Sequence, residues 1–154
     1  MKQKKKFSAG VLLLWLLMLV VGLGSLYGGS NLIIDPSGKR LDIPLFFLTD
    51  SPFRTYLIPG LILFFMLGLF PLMSLYGLIF QPNTKGLNFL NIYKQQHWGW
   101  TYALYTGIML VVWMDVQIFW IGHSASVQSY FAFTGIIIII VALLPGVQKK
   151  YLLS

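Results

Sequence analysis

The sequence predicts an all-α membrane protein, four transmembrane helices in a bundle with a short β-hairpin in the first extracellular loop. Three observations lead there. Hydrophobic residues make up 57% of the chain and charged residues only 10%, against about a quarter charged in a soluble domain, so lipid is the medium that most of the surface must face. Four apolar stretches, at about 8–29, 56–80, 100–121 and 128–146, come close to or exceed the roughly 20 residues that cross a bilayer at about 1.5 Å per residue. Eleven Lys and Arg and three of the four Asp lie in the termini and connections, and the fourth, Asp115, is alone inside an apolar stretch. Backbone groups in hydrocarbon must be satisfied within their own segment, which forces helices, and the length, 1–154, fits one domain.

Charge placement orients the bundle. Lys2, Lys4, Lys5, Lys6, Lys85, Lys94, Lys149 and Lys150 lie in the N-terminal tail, the 81–99 connection and the C-terminal tail, none of which contains an acid. Basic connections stay cytoplasmic. The 30–55 loop balances Lys39, Arg40 and Arg54 against Asp35, Asp42 and Asp50, and the third connection, around His123, has no formal charge. Those two are expected outside. An even number of crossings puts both termini on one side, in agreement with the charge bias. The net charge of +7 is then topogenic and points to no nucleic acid.

The first helix follows a Lys-rich start with a long apolar run and no Ala-x-Ala cleavage pattern, and is read as a retained span. It ends in two small-residue pairs, Gly24 with Gly28 and Ser25 with Gly29, which suit close helix packing. In the loop, Asp35-Pro36-Ser37-Gly38 has the residues of a type I turn, and the flanking 31–35 and 39–43 segments read as a β-hairpin. The 44–48 segment is too apolar to sit free in water and reads as a half-turn at the outer interface. Asp50-Ser51-Pro52 offers N-cap chemistry for the second helix, which carries Gly68 and a mid-membrane Pro71 where a kink is expected. Periodic apolar residues at Leu87, Leu90 and Tyr93 suggest a short amphipathic helix on the cytoplasmic surface. Gly107 in the third helix, and Gly135 and Ala142 in the fourth, mark packing sides.

Asp115 is the chemically conspicuous residue. An acid near a helix centre costs roughly 2.5–3.5 kcal/mol on insertion scales, so it should be paired, protonated or in a wet cavity. Arg54, at the outer start of the second helix, is the expected partner, forming an ion pair between helices, with Lys39 and Arg40 on the outer loop as alternatives. Gln117 lies about 200° around the helix from Asp115 and aligns instead with Trp113 and Trp120, where it is expected to hydrogen-bond a neighbouring helix. Cysteine is absent, which removes disulfides and thiol chemistry. The two histidines, His97 and His123, are expected on opposite sides of the membrane and cannot share a metal. His123-Ser124 makes no plausible nucleophile and base, and no phosphate-loop, zinc-protease or paired-carboxylate motif occurs.

Asp35-Pro36-Ser37-Gly38, Ser51-Pro52-Phe53, the 56–63 segment with Pro59-Gly60, Trp113-x-x-x-Gln117 and Ile121-Gly122 together resemble a family of small uncharacterised bacterial four-helix integral membrane proteins. The resemblance implies the same architecture, a bacterial plasma membrane and no established activity. In outline the chain is also similar to claudin-like proteins, without their Trp and Cys loop signature. The functional expectation is a non-enzymatic partner-binding or accessory protein of an envelope or transporter assembly, with no cofactor and no metal. Its partners would be the lipid bilayer and another membrane protein or a second copy. The alternative is a small proton- or cation-coupled transporter or channel component using Asp115, and a membrane enzyme comes third.

Overall fold

A computed structural model describes residues 8–122 and 126–153. The Lys2 to Lys6 tail and the third connection around His123 and Ser124 lie outside the described residues. Three helices are long and apolar enough to cross a membrane, at Ala9–Ile34, Leu57–Phe80 and Trp98–Trp120, which marks an integral membrane protein. The fourth expected crossing corresponds to a shorter apolar helix, Val127–Leu143.

Helix α1 (Ala9–Ile34) starts where the Ser8 side chain accepts the Val11 N–H. Seven of its eight buried positions, Val11, Leu14, Met18, Val21, Ser25, Gly29 and Leu32, recur at intervals of three and four, with Gly22 beside them, so one face carries its packing. The second rod is continuous but not uniform. It runs as α2 (Leu57–Ile62), a π-helical segment (Leu63–Leu69) and α3 (Phe70–Phe80). Pro71 sits in the first turn of α3, and Phe70 N–H reaches back five residues to Phe65 O. A proline ring clashes with the carbonyl four residues before it, and the widened register ahead of Pro71 is how this helix accommodates that constraint. Helix α4 (Trp98–Ile121) packs along α3 on one side and along α5 (Ser126–Leu143) on the other. Sequence reasoning extends the last helix to residue 146. It stops at Leu143 because Pro145 pushes Leu144 to an extended ψ of 133°, and a short α6 (Pro145–Lys150) begins there.

The expected β-hairpin does not form, and the described residues contain no strand. The reason lies in α1, which runs on through the residues assigned to the first strand: Asp35 N–H still bonds Asn31 O, and the Asn31 amide bonds Tyr27 O. The Asp35 turn itself exists, with Gly38 N–H on Asp35 O at 3.1 Å and Asp35 Oδ1 accepting from Ser37 N–H and its hydroxyl. Gly38 at φ +78° then throws the chain into two short 3₁₀ turns, Lys39–Leu41 and Leu45–Leu48, instead of back along itself. Buried Tyr56 anchors this coil, its N–H on Pro36 O and its hydroxyl on Pro44 O. Ser51 caps a local turn through Leu48 O and Phe53 N–H, and α2 starts only after Tyr56.

The second connection is likewise no amphipathic helix. After a 3₁₀ turn at Lys85–Asn88, tyrosines of α4 take the carbonyls a helix would need: Tyr102 hydroxyl on Leu87 O and Tyr105 hydroxyl on Leu90 O. Asn91 accepts from the Thr101 hydroxyl and donates to Gln96 O, both inside the protein. The segment after α6 closes this end. His97 N–H bonds Tyr151 O, Leu153 N–H bonds Gln95 O, and an isolated antiparallel bridge joins Gln96 to Leu152.

Candidate functional site

Helix α4 presents two different faces toward the end of the bundle closed by the first connection. Trp113, Gln117 and Trp120 recur at four and three residues and line one cavity, as their shared periodicity predicts. Ile108, Val112, Asp115 and Phe119 recur at four, three and four residues and lie exposed on another side. The two-residue offset between Asp115 and Gln117 is about 200° of helix rotation, so with Gln117 turned to the cavity Asp115 must turn away.

Asp115 is therefore on the outside of the bundle, roughly 9 Å of helix rise before Ile121. Arg54 is exposed in the first connection, beside a shallow depression formed with Ser51, Pro52 and Phe53. Among the described residues no ion pair joins Arg54 to Asp115, so the expected clasp between α4 and the start of the second rod is not formed. Of the three polar candidates the sequence singles out, only Gln117 enters the cavity.

The cavity encloses about 350 Å³ between α1, the first connection, α2, the π segment, α4 and the start of α5. Leu32, Phe47, Phe53 and Leu63 supply apolar walls. No side chain around it carries a formal charge. Two residues of its walls each carry a polar atom with no hydrogen-bond partner, Trp113 Nε1, a donor, and Gln128 Oε1, an acceptor on a side chain only 7% exposed, and both atoms are buried rather than open to the cavity. A buried polar atom left unsatisfied costs about 1–3 kcal/mol. A second apolar groove shares Phe53, Trp113, Val116 and Trp120 with the cavity and continues along Met66, Ile108 and Val112. Phe53 and Trp120 meet edge to face in that shared wall, ring centres 5.5 Å apart.

The packing candidates divide. Gly68 lies against Leu26, Pro71 is buried, and Gly107 meets Gly135 O and Ile139. Gly24 and Gly28 face open space, while Gly29 makes a close approach to the second rod and Ser25, one turn before it, is buried. Sequence reasoning missed the contact of Gly77 with Gly99, where α3 and α4 cross closely enough for the buried Ser74 hydroxyl to bond Gly99 O at 2.8 Å. The available signal was that Gly99 directly follows the N-terminal residue of α4.

At the opposite end His97 caps α4. Its Nδ1 accepts the Gly99 N–H at 3.1 Å, which makes Nε2 the protonated nitrogen and lets it donate to Pro82 O. Burial pushes this imidazole below its ordinary pKa. Among the described residues no three His, Cys, Asp or Glu side chains gather as a metal site would require. Compared with known protein families, curated proteins and solved structures, the chain matches none.

Proposed function

We propose that the chain is a non-enzymatic accessory subunit of a bacterial plasma membrane, crossing it four times with both termini cytoplasmic. It docks through the exposed face of α4 formed by Ile108, Val112, Asp115 and Phe119 onto a transmembrane helix of another protein that carries a Lys or Arg at matching depth. The observation that carries this reading is the exposure of Asp115 without an ionic partner. A carboxylate at that depth is costly in lipid and is normally paired or turned inward. Here the compensating charge has to come from outside the chain, which gives the partner its chemistry. The four-crossing topology rests on the acid-free basic segments and on the apolar character of α5. The transport reading has weaker support, since Asp115 lines neither the cavity nor the adjoining groove.

Photocrosslinking in native membranes tests the docking face, with a benzophenone amino acid at Val112 or Phe119 in the full chain. The expected result is one dominant adduct with a protein whose crosslinked transmembrane helix contains a Lys or Arg, reduced at least tenfold by Asp115→Asn. An adduct only with a second copy of the chain, or one indifferent to Asp115→Asn, would overturn the reading.

A further inference from the structure

The connection between α3 and α4 does not hang beyond the helix ends. The Asn91 side chain accepts from the Thr101 hydroxyl, three residues inside α4 and about 4.5 Å along its axis, and Leu90 O takes the hydroxyl of Tyr105, a turn further in. Tyr93 packs edge to face on Trp100, ring centres 5.5 Å apart. The 23 residues of Trp98–Trp120 rise about 34 Å, little more than the roughly 30 Å of hydrocarbon they cross. A segment held beside the first two turns of that helix therefore sits at the level of the headgroups and upper acyl chains. Phe89 and Ile92 of this segment are 83% and 67% exposed. Apolar side chains left outside the fold at that depth meet lipid rather than water.

The C-terminal segment adds charge to the same surface. Leu153 N–H bonds Gln95 O and Leu152 bridges Gln96, so the residue after Lys94 is tied to the chain just past Lys149. Lys85, Lys94 and Lys149 are exposed, and so is Leu152. Residues 81–99 and 144–154 contain no Asp or Glu. We propose that this end of the bundle binds an anionic phospholipid, with Phe89, Ile92 and Leu152 among its upper acyl chains and the three lysines around its headgroup phosphate. Net charge selects the headgroup. A zwitterionic head brings an ammonium as well as a phosphate, and these segments offer no carboxylate to meet it; a phosphatidylglycerol head brings only the charge that lysines complement. The surface is independent of the docking face, because Asp115 lies toward the other end of α4.

The absence of cysteine makes Phe89→Cys a single attachment point for a nitrobenzoxadiazole fluorophore. The labelled full chain is reconstituted in vesicles of equal phosphatidylglycerol and phosphatidylcholine, one or the other lipid carrying an acyl-chain nitroxide. Both lipids should quench the label, the nitroxide phosphatidylglycerol about threefold or more the better. At Tyr130→Cys, exposed on α5 toward the connection without formal charge, the two should quench alike. Lys85→Gln, Lys94→Gln and Lys149→Gln together should remove the preference at Phe89, and the three corresponding Lys→Arg changes should keep it. Should the label at Phe89 prevent reconstitution, Ile92→Cys carries it instead. Quenching by neither lipid would place water or a protein over this segment and overturn the proposal. Equal quenching by both lipids, a preference as large at Tyr130, or one that survives the triple Gln variant would overturn it too.

Discussion

Gly29 of α1 and Phe64 of the π segment approach so closely that a Cβ on Gly29 would stand 2.7 Å from the Phe64 backbone nitrogen. Backbone cannot swing aside as a side chain can, so added volume here separates the two rods. Gly29→Ala is expected to destabilise the protein by about 1–3 kcal/mol. Gly24→Ala and Gly28→Ala, which meet open space, should stay within about 1 kcal/mol of the parent and on the stabilising side, as glycine is a poor helix former. Reversible unfolding in mixed micelles measures all three, and equal losses at Gly28 and Gly29 would contradict the assignment of the packing face.

Arg54 and Asp115 are predicted to act independently. With no ion pair between them, Arg54→Ala and Asp115→Asn should combine additively, with a coupling below about 0.5 kcal/mol in a double-mutant cycle. Asp115→Leu should raise the stability of the isolated chain in lipid, because it removes an acid from an exposed apolar stripe. A coupling above about 1 kcal/mol would show that the two charges meet.

His97 predicts a direction of pH dependence. Its pKa is lowered in the folded chain from an ordinary value near 6.5, so over the interval below that value the unfolded chain holds the proton more tightly. Stability is then complete above about pH 6.5 and declines as pH falls through the folded value. Protonated Nδ1 also ceases to accept the Gly99 N–H. His97→Asn keeps an acceptor at the N-cap without the titration. The unfolding midpoint of the parent should drop more than that of His97→Asn between about pH 8 and 5.5; identical curves would reject the assignment.

Tyr151 separates packing from hydrogen bonding. It is 1% exposed, and its hydroxyl accepts from Trp15 Nε1 at 2.9 Å. Tyr151→Phe should cost about 1 kcal/mol and Tyr151→Ala about 3–5 kcal/mol. Similar losses in the two variants would place its main contribution in the hydroxyl.

The long helices were legible because lipid imposes a single rule on every residue of a span, and their expected bounds lie within a few residues of those found for three of them. The hairpin was misread because Leu32, Ile33 and Ile34 suit a strand as well as a helix, and the running hydrogen-bond ladder of α1 decided between them. The face of α4 bearing Trp113, Gln117 and Trp120 could be read from spacing alone. What that face encloses could not, because the cavity joins side chains from six separate segments. The Arg54 pairing failed for a related reason: topology placed both residues near one end of the bundle, but only the fold fixes which side of α4 the second rod covers.

Trp15 meets its acceptor 136 positions downstream, and the residues that follow Tyr151 fasten the backbone ahead of α4. In a chain made from its amino end, this latch reaches its place only after helices α1 to α6 have been made. Closure of that end therefore follows the synthesis of all six of these helices, and a product halted at Lys150 would contain α1 to α6 yet present an unlatched bundle to the proteases that survey newly inserted membrane proteins.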